Sequence, residues 1–509
     1  MDQLPKTDRR KFRYQLLLVI ALCIAGCDRG AGQVVAGAVR TALGADFVPR
    51  TVTVGALVRG VWLPAGLANG RTDFGPAAQQ LVLDLNVNFL EWLQRDTLAV
   101  DELIGLADPP PARDWIRTEE LAMRFAEEHG LGLPVYYEPL APGFGDHDKL
   151  ENWSTCNVDP QGLPSPQCES APGFADSVAR RVRALKRQWG KYSRGFQGYL
   201  ISHEQYDRRF FPALGAVVGV LRGEDAQRPA LAVAGLHEYG GHAADFLDRF
   251  FQGNDPPNIF QHEHYVFRGD VCRGDRRKVT KALDGLLATY NLTTREVGRR
   301  AGRWHAVIQA HSELRSDEAY PACGERSDLY YRYPTVAEIR VQAGLALSRG
   351  ASGVVYFVYS SGSDPSQDHI IYRGLVDAGV PTAAYAEVRA LNDSLERLSA
   401  PLKDLYYHGW MTTSSAIPRW VRTILPNDIL AGADRDLELG FFGDGDDETH
   451  LLVVNRRTDL ARGVELVVKK PLVTYASTGE PIATEKSTGD TYKVEIPLEP
   501  GGFRLLVID

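Results

Sequence analysis

The sequence predicts an α/β protein: a (β/α)8 TIM barrel followed by a small C-terminal antiparallel β-sandwich. Between residues 50 and 402, short apolar runs alternate with longer amphipathic runs, which makes eight strand-then-helix units. The strand-like runs are apolar enough to be covered on both faces, which points to a parallel sheet. From residue 403 to 509 the helical period is lost, and this change marks a second domain.

Closure of the eight units into a barrel is the simplest arrangement. The predicted strands occupy residues 52–58, 87–93, 133–139, 198–202, 230–236, 258–267, 304–311 and 353–360. The predicted helices include residues 118–130, 176–192, 245–253, 335–350 and 383–402. An open doubly wound sheet is the alternative, but no G-x-G-x-x-G follows the first strand, so nothing marks a dinucleotide site. We expect no cofactor.

The C-terminal region contains short apolar runs separated by turn residues. This pattern is typical of a small antiparallel β-sandwich. The predicted strands are residues 450–457, 463–468, 471–476, 492–498 and 503–509.

The N-terminus has the pattern of a bacterial export signal. Basic residues up to Arg13 precede the apolar run 16–26, which has about 11 residues where roughly 20 are needed to cross a bilayer. The sequence IAGC ending at Cys27 resembles the lipobox of bacterial lipoproteins. That resemblance implies a signal peptide at 1–26, a lipid on the Cys27 thiol, a linker at 27–49 and a protein anchored in the cell envelope, on the periplasmic face of the inner or outer membrane.

Four cysteines remain after the signal and the lipidated residue are set aside. An even number in an oxidising compartment predicts two disulfides. We pair Cys156 with Cys168, which flank a loop containing Pro and Gly, and Cys272 with Cys323. A zinc site is the alternative, and it is disfavoured because no C-x-x-C spacing occurs.

The charge distribution indicates which kinds of ligand the protein can bind. The net charge is −8, the isoelectric point is near 5.9, and no basic run occurs outside the signal. Nucleic-acid binding is therefore disfavoured, because it needs a concentrated cationic surface. A small or neutral ligand is the more suitable partner.

The fourth predicted strand, in GYLISHEQ, ends on His203 and Glu204. In (β/α)8 enzymes the chemistry lies at the carboxyl ends of the strands, where the loops converge on one mouth. We therefore expect both side chains in that mouth. The alternative is a structural role for Glu204, as a helix cap or in an ion pair with Arg208 or Arg209.

Several segments together resemble the clan of retaining (β/α)8 glycoside hydrolases, and in particular its β-galactosidase-like members. They are GYLISHEQ, WHAVIQAH, YPTVAEIRVQAGLALSRGASGVVYFVYS and EPGGFRLLVID. The resemblance implies a carbohydrate substrate and a glycosidase in which Glu204 is the general acid/base. Such chemistry requires a proton donor for the leaving oxygen and a second carboxylate for the oxocarbenium-like centre.

The second carboxylate is where the sequence departs from the clan. The clan places its nucleophile at the end of strand seven, where this chain has Gln309, and an amide cannot form the glycosyl ester. Glu313 is the first candidate and Glu263 the second, while inverting and substrate-assisted mechanisms stay open. Glu338 fits a capping box with Thr335, so we expect it to be structural.

Other polar and aromatic residues at the strand ends are candidates for binding a sugar. The predicted substrate-binding set is His203, Glu91, Glu138, His237, Glu263, Gln309, Tyr356 and Tyr359. Further aromatic residues count only if they face inward: Trp62, Trp92, Tyr136 and Tyr137.

Three function classes follow. The first is a glycosidase at the cell envelope, and the second is a lipid-anchored carbohydrate-binding protein whose barrel has lost the nucleophile. The third is a metal-dependent hydrolase, because His262 and His264 share one face of a strand and could bind a metal together. It is disfavoured because the first predicted strand has no H-x-H, and we expect no metal.

Overall fold

A computed structural model provides the fold. The residues it describes are 53–64, 74–93, 114–136, 168–170, 173–204, 206, 208–252, 258–315, 331–364, 370–413, 429–445, 447–487 and 489–509. Within these ranges no helix has both the length and the apolar character needed to cross a bilayer. The predicted signal and the predicted lipidation site, Cys27, lie outside them.

Eight parallel strands alternate with helices as predicted. The barrel strands are β1 Val58–Pro64, β2 Phe89–Leu93, β3 Leu133–Tyr136, β4 Phe196–His203, β5 Ala230–Ala234, β6 Ile259–Glu263, β7 Arg303–Gln309 and β9 Gly353–Phe357. The helices are α1 Pro76–Asp84, α2 Asp114–His129, α3 Phe174–Trp189, α4 Phe211–Glu224, α5 Ala243–Phe250, α6 Arg276–Gly298, α7 Val336–Leu347 and α8 Ala383–Leu402. Short 3-10 helices span Cys168–Ser170, Arg208–Phe210 and Leu236–His242.

The sheet closes on itself. Its strand order is β2-β1-β9-β7-β6-β5-β4-β3, and every pairing between neighbours is parallel. A parallel bridge between Phe89 and Gly132 joins the two edges, where the Leu90 amide donates to the Gly132 carbonyl at 2.7 Å. The predicted barrel is therefore confirmed.

The first barrel strand lies later in the chain than predicted, so the interval 52–58 was wrong. The Val54 and Gly55 amides donate to carbonyls just after α8, and Gly55 has a φ of 75°. The true strand begins at Val58 and contains the buried Arg59 and Gly60. Glycine is required at position 60, because a Cβ there would lie 2.9 Å from the Val355 side chain.

The lower barrel interior is apolar. Because alternate residues of a strand share one face, one residue in two along each strand points to the barrel axis. The packed interior cluster is Trp62, Phe89, Leu200, Leu231, Val233, Val307, Val355 and Val358.

Helix α7 begins with the predicted capping box. Thr335 accepts a hydrogen bond from the Glu338 amide at 3.2 Å, and the Glu338 carboxylate accepts from the Thr335 amide at 2.7 Å. The same carboxylate binds the Arg332 guanidinium through two hydrogen bonds of 2.6 and 2.8 Å. Glu338 is thus fully used in holding the start of this helix.

A small antiparallel sheet lies beside the mouth, after β7 and β9. Its order is β10-β11-β8, and an additional pair, β12 with β13, follows in the chain. These strands are β8 Ser312–Arg315, β10 Gly362–Asp364, β11 Ile370–Arg373, β12 Val376–Asp377 and β13 Val380–Pro381. We call β8, β10 and β11 the mouth sheet.

Two antiparallel sheets form the C-terminal sandwich, with orders β14-β16-β17-β22-β19 and β15-β18-β21-β20. The strands are β14 Tyr406–Thr412, β15 Leu430–Ala433, β16 Leu437–Asp444, β17 Asp447–Asn455, β18 Arg462–Val468, β19 Leu472–Tyr475, β20 Thr484–Lys486, β21 Tyr492–Leu498 and β22 Phe503–Ile508. Four of these were not predicted: β14, β15, β16 and β20. The sheets enclose one apolar core that includes Leu439, Val453, Leu466 and Ile496.

A buried ion-pair network joins the barrel to the sandwich. Arg349 follows α7 and is fully buried, as is Glu438 on β16, and their nitrogen and oxygen atoms are 2.5 Å apart. Glu438 also accepts from Arg456 at 3.2 Å and from the Thr412 hydroxyl at 2.6 Å. Arg456 continues the network to Asp284 in α6. Loss of the Glu438 carboxylate would leave the buried charge of Arg349 uncompensated.

We expect Glu438→Gln to reduce the free energy of unfolding by about 3–5 kcal/mol, because the buried Arg349 loses its counter-charge. Urea unfolding of the purified protein measures this change. The control is Glu465→Gln, which removes an ion pair with Lys493 that is about half exposed and should cost roughly 0–1 kcal/mol. Equal unfolding midpoints for the two variants would contradict the importance of this network.

Candidate active site

Glu204 lies directly after β4 and is held in an unusual backbone conformation. Its φ is 50°, in the left-handed region that few residues other than glycine adopt, and its amide donates to the Val233 carbonyl at 2.8 Å. The side chain is exposed. An unfavourable backbone conformation at the end of a barrel strand is typical of residues held for function.

Glu263 provides the second carboxylate. On β6 it shares the inward face with Ile259, which packs on the interior cluster. Its side chain is only 7% exposed. One oxygen of Glu204, one oxygen of Glu263 and one ring nitrogen of His203 all lie within 4.8 Å of one another. The structure therefore places a carboxylate pair and an imidazole together at the barrel mouth.

Burial raises the pKa of Glu263 well above its ordinary value, and the negative charges of Glu204 and Glu91 raise it further. Two carboxylates at this distance cannot both ionise readily in a poorly solvated site. Burial and the neighbouring negative charges therefore favour the protonated form of Glu263.

Glu91 on β2 is a third inward carboxyl, 1% exposed. Burial raises the pKa of Glu91 to about 8, while the Trp62 indole and the Gln261 amide beside it lower the pKa by a smaller amount. Neither neighbour reaches good hydrogen-bond geometry. In the described part of the chain, both Glu91 oxygens, both polar atoms of the Gln261 amide and the Trp62 nitrogen have no hydrogen-bond partner. Buried polar atoms are normally paired, so these groups offer unused capacity to a polar ligand.

Aromatic rings form a wall beside the carboxylates. The Phe357 ring lies 5.0 Å from that of Trp62 and 5.8 Å from that of Tyr265, and Tyr265 also contacts His311 at 4.9 Å. The Trp62 ring lies 5.3 Å from that of His203. Burial lowers the pKa of His311 to about 3, so this imidazole is neutral. The wall excludes water and strengthens the electrostatic interactions of the carboxylates.

Gln309 has a structural role at the end of β7. Its side-chain oxygen accepts from the Phe267 amide at 2.9 Å, and its side-chain nitrogen donates to the carbonyls of Phe267 and Arg332 at 3.2 and 3.0 Å. The Gln309 backbone amide donates to the side-chain oxygen of Gln342 at 3.1 Å. It is fully buried. These contacts hold the loop after β6 and employ both ends of the Gln309 amide.

The other predicted site residues are dispersed. Glu313 lies in the mouth sheet, 4.0 Å from the His311 ring nitrogen, and does not join the close group of His203, Glu204 and Glu263. The Tyr356 hydroxyl donates to Asn392 in α8 at 3.0 Å, and the Tyr359 hydroxyl donates to a carbonyl in α1 at 3.1 Å. Both tyrosine hydroxyls are therefore directed to helices.

Some predicted residues cannot be placed. Glu138, Tyr137, Cys156 and Cys323 lie outside the described residues, as do the side chains of Trp92 and Cys168. Cys272 lies in the turn that precedes α6. Both disulfide pairings stay predictions.

Sequence reasoning missed Gln261, Tyr265, Phe357 and the contribution of the mouth sheet. Gln261 was detectable, because it lies two residues before Glu263 on a predicted strand and so shares its face. The mouth-sheet residues, such as Tyr372 near Phe357, had no comparable signal, because their position depends on how loops fold over the barrel.

Among the residues that the structure describes, two groups of side chains have the geometry of a metal site. The first is His203, Glu204 and Glu263, and the second is His237, His262 and His264; in each group one ligand atom per residue lies within 4.8 Å of the others. The second group contains both histidines that the sequence predicted to share a face.

The fold is similar to that of known glycoside hydrolases. A catalytic mutant of a GH42 β-galactosidase from G. stearothermophilus matches 90% of this chain and 99% of its own with a TM-score of 0.57 at 8% identity. A β-galactosidase from Bacillus circulans sp. alkalophilus matches 91% of this chain and all of its own, with a TM-score of 0.52 at 7% identity. The predicted resemblance to this group is confirmed at the level of the fold.

The structural similarity to a glycoside hydrolase of another family is weaker. A GH2 β-galacturonidase from Eisenbergiella tayi is matched with a TM-score of 0.39 at 14% identity, over 67% of this chain, which spans about half (51%) of that protein. No protein family matches the sequence, and no curated protein is significantly similar to it.

Gln309→Glu restores a carboxylate where the clan has its nucleophile, yet we expect it to destabilise the protein. The carboxylate would face the Phe267 and Arg332 carbonyls without donating to them, which should cost about 1–3 kcal/mol in the free energy of unfolding. Urea unfolding tests this expectation.

The matched control is Gln197→Glu. Gln197 is exposed and its side chain donates to the Arg194 carbonyl, so its replacement should change stability by less than about 0.5 kcal/mol. A Gln309→Glu variant that is as stable as this control would show that the Gln309 contacts are not structural.

Proposed function

We propose that the protein is a glycoside hydrolase whose catalytic pair is Glu204 and Glu263. The observation that carries this proposal is the approach of their carboxylates to within 4.8 Å at the mouth of a (β/α)8 barrel. Paired carboxylates are what hydrolysis of a glycosidic bond requires. Glu263 thereby replaces Glu313 as the partner of Glu204.

The short separation favours a retaining mechanism. Retaining enzymes hold the two carboxyl groups about 5–5.5 Å apart, whereas inverting enzymes need roughly 6.5–9.5 Å to admit a water molecule between base and sugar. The nearest oxygens of Glu204 and Glu263 lie within 4.8 Å of each other, which places the pair on the short side of this division. The second carboxylate must then attack the sugar itself.

The different exposure of the two carboxyl groups suggests which is the general acid/base and which is the nucleophile. A general acid/base must reach the leaving group and later a water molecule, which suits the exposed Glu204 at the rim. The nucleophile must lie beneath the sugar, which suits the buried Glu263. Position decides this assignment rather than the raised pKa of Glu263, because a proton on Glu263 can transfer to the adjacent Glu204 carboxylate before the glycosidic bond breaks.

The reaction then has two steps. Glu204 donates its proton to the glycosidic oxygen while that bond breaks, and a Glu263 oxygen bonds to the anomeric carbon to form an ester. In the second step Glu204, now a carboxylate, takes a proton from water. The water oxygen attacks the anomeric carbon, and the ester bond to Glu263 breaks.

The unpaired polar groups fit the hydroxyl groups of a sugar. Glu91 is protonated below about pH 8 and can donate as well as accept, while the Gln261 amide can do both at any pH. The Trp62 indole adds a donor and a ring face. The structural neighbours include β-galactosidases, so β-galactosides are the first substrates to test.

We expect Glu204→Gln and Glu263→Gln each to lower kcat by about 10²–10⁴-fold or more, because each removes one half of the pair. Activity is measured on a panel of aryl glycosides that begins with β-galactosides. Glu313→Gln serves as the control and should lose far less kcat than either variant, because Glu313 does not join the close group of His203, Glu204 and Glu263.

Azide rescue distinguishes the roles of the two residues. With Glu263→Gly, azide should restore turnover and give a glycosyl azide of inverted configuration, because azide takes the place of the nucleophile. With Glu204→Ala it should give the retained configuration. Full activity of both Glu→Gln variants would refute the proposal, and sugar binding without hydrolysis by the wild-type protein would favour the carbohydrate-binding alternative.

We further propose that the protein is anchored by lipid in a bacterial cell envelope. The support is the IAGC sequence after a short apolar run, which resembles a lipobox. In this setting the barrel would act on envelope or imported oligosaccharides.

Cys27→Ser should abolish acylation and leave an uncleaved precursor, because the thiol is the site of lipid attachment. Mass spectrometry of the membrane fraction measures the lipid and the new N-terminus. A wild-type protein that is free of lipid and recovered from the periplasm would contradict the proposed anchor.

A further inference from the structure

Three imidazoles converge on the outer face of β6, the face that is turned away from the barrel axis. His262 and His264 flank the inward-facing Glu263, so strand alternation turns both towards α6. His237 comes from the 3-10 helix after β5, and its ring lies 4.2 Å from that of His264 and 6.1 Å from that of His262. One nitrogen from each ring lies within 4.8 Å of the other two.

Helix α6 fixes the tautomers of two of these rings. The Thr289 hydroxyl donates to the Leu286 carbonyl at 2.8 Å, so it accepts from His264 Nδ1 at 3.1 Å. The Thr293 hydroxyl donates to the Thr289 carbonyl at 3.1 Å and accepts from His262 Nδ1 at 3.0 Å. Each hydroxyl has one proton to donate. Both Nε2 atoms are left with a free lone pair.

One contact favours the other tautomer of His262. The Leu236 amide points at His262 Nδ1 from 3.4 Å, beyond the usual range of such bonds. The shorter contact to Thr293 determines the assignment. His262 is fully buried, and its Nε2 has no hydrogen-bond partner in the described part of the chain.

The third imidazole is oriented by a carboxylate. His237 Nε2 lies 3.0 Å from a Glu238 oxygen, while its Nδ1 is buried and without a partner among the described residues. A ring that donates one N–H to a carboxylate and keeps the other nitrogen free is typical of a metal ligand. All three rings thus combine an oriented nitrogen with an available lone pair.

We propose that His237, His262 and His264 bind a zinc ion, through Nδ1 of His237 and Nε2 of the other two. Neutral imidazoles suit zinc, and three of them leave one position of a tetrahedral ion for water. His237 is partly exposed, which gives an entry path. Glu238 and Arg268 are the charged groups that act on His237, and Arg268 also acts on His264.

The site is separate from the carboxylate pair, and its existence does not depend on the proposed glycosidase activity. Two of its ligands are the chain neighbours of Glu263. Zinc would therefore fix the end of β6 and tie it to the segment after β5. We assign it a positioning role for Glu263 rather than a part in the chemistry.

Zinc binding to the chelator-stripped protein, purified without a polyhistidine tag, tests the proposal. We expect about one zinc per chain by elemental analysis, and three imidazole nitrogens at about 2.0–2.1 Å by X-ray absorption. His264→Gln should abolish binding, and Thr293→Val should weaken it by about 10–100-fold through loss of the oriented His262 ring.

The matched control is His242→Gln, an exposed histidine in the same 3-10 helix, which should leave zinc binding unchanged. Glu204→Gln should also retain it. Zinc lost with Glu204→Gln but kept with His264→Gln would place the ion in the mouth and overturn the proposal. A wild-type protein that binds no more zinc than His264→Gln would overturn it as well. If His264→Gln fails to fold, the number of imidazole nitrogens that X-ray absorption finds around zinc in the wild type decides the proposal.

Discussion

Closure of the barrel is the constraint on which the site depends. The bridge between Phe89 and Gly132 joins the edges of the sheet, so the carboxyl ends of all eight parallel strands lie on one rim. Side chains from alternate strands of such a barrel form common layers. Glu91, Glu204 and Glu263 come from β2, β4 and β6, so three residues more than 50 positions apart in the chain meet at one level.

Bringing carboxyl groups together at the mouth disfavours their ionised forms, and this change in protonation is useful for acid/base chemistry. Burial in the mouth raises the pKa of both Glu263 and Glu91, and the negative charges of Glu204 and Glu91 raise the pKa of Glu263 further. The aromatic wall around Phe357 lowers the local polarity and so strengthens the electrostatic interactions of these carboxyl groups. The apolar layer below and the Arg349–Glu438 network behind the barrel supply the rigidity that holds such groups in place.

Much of the fold could be predicted from the sequence, because apolar periodicity reports directly on strands and helices. Strand β1 was misplaced, since a buried Arg59 and a Gly60 do not look like a strand interior. The position of Glu204 at the end of β4 followed from the same periodicity. Its partner did not, because the choice between Glu263 and Glu313 depends on how loops after β6 and β7 fold, and Gln309 directs that folding through contacts with Phe267 and Arg332.

Chemical trapping of the intermediate tests the central claim most directly. A 2-deoxy-2-fluoro glycosyl fluoride of a sugar that the protein hydrolyses slows the second step, so the sugar should remain attached to the nucleophile. Peptide mass spectrometry should then find the sugar on Glu263. A label on Glu313 or Glu204, or turnover without any covalent label, would contradict a site built on the Glu204–Glu263 pair.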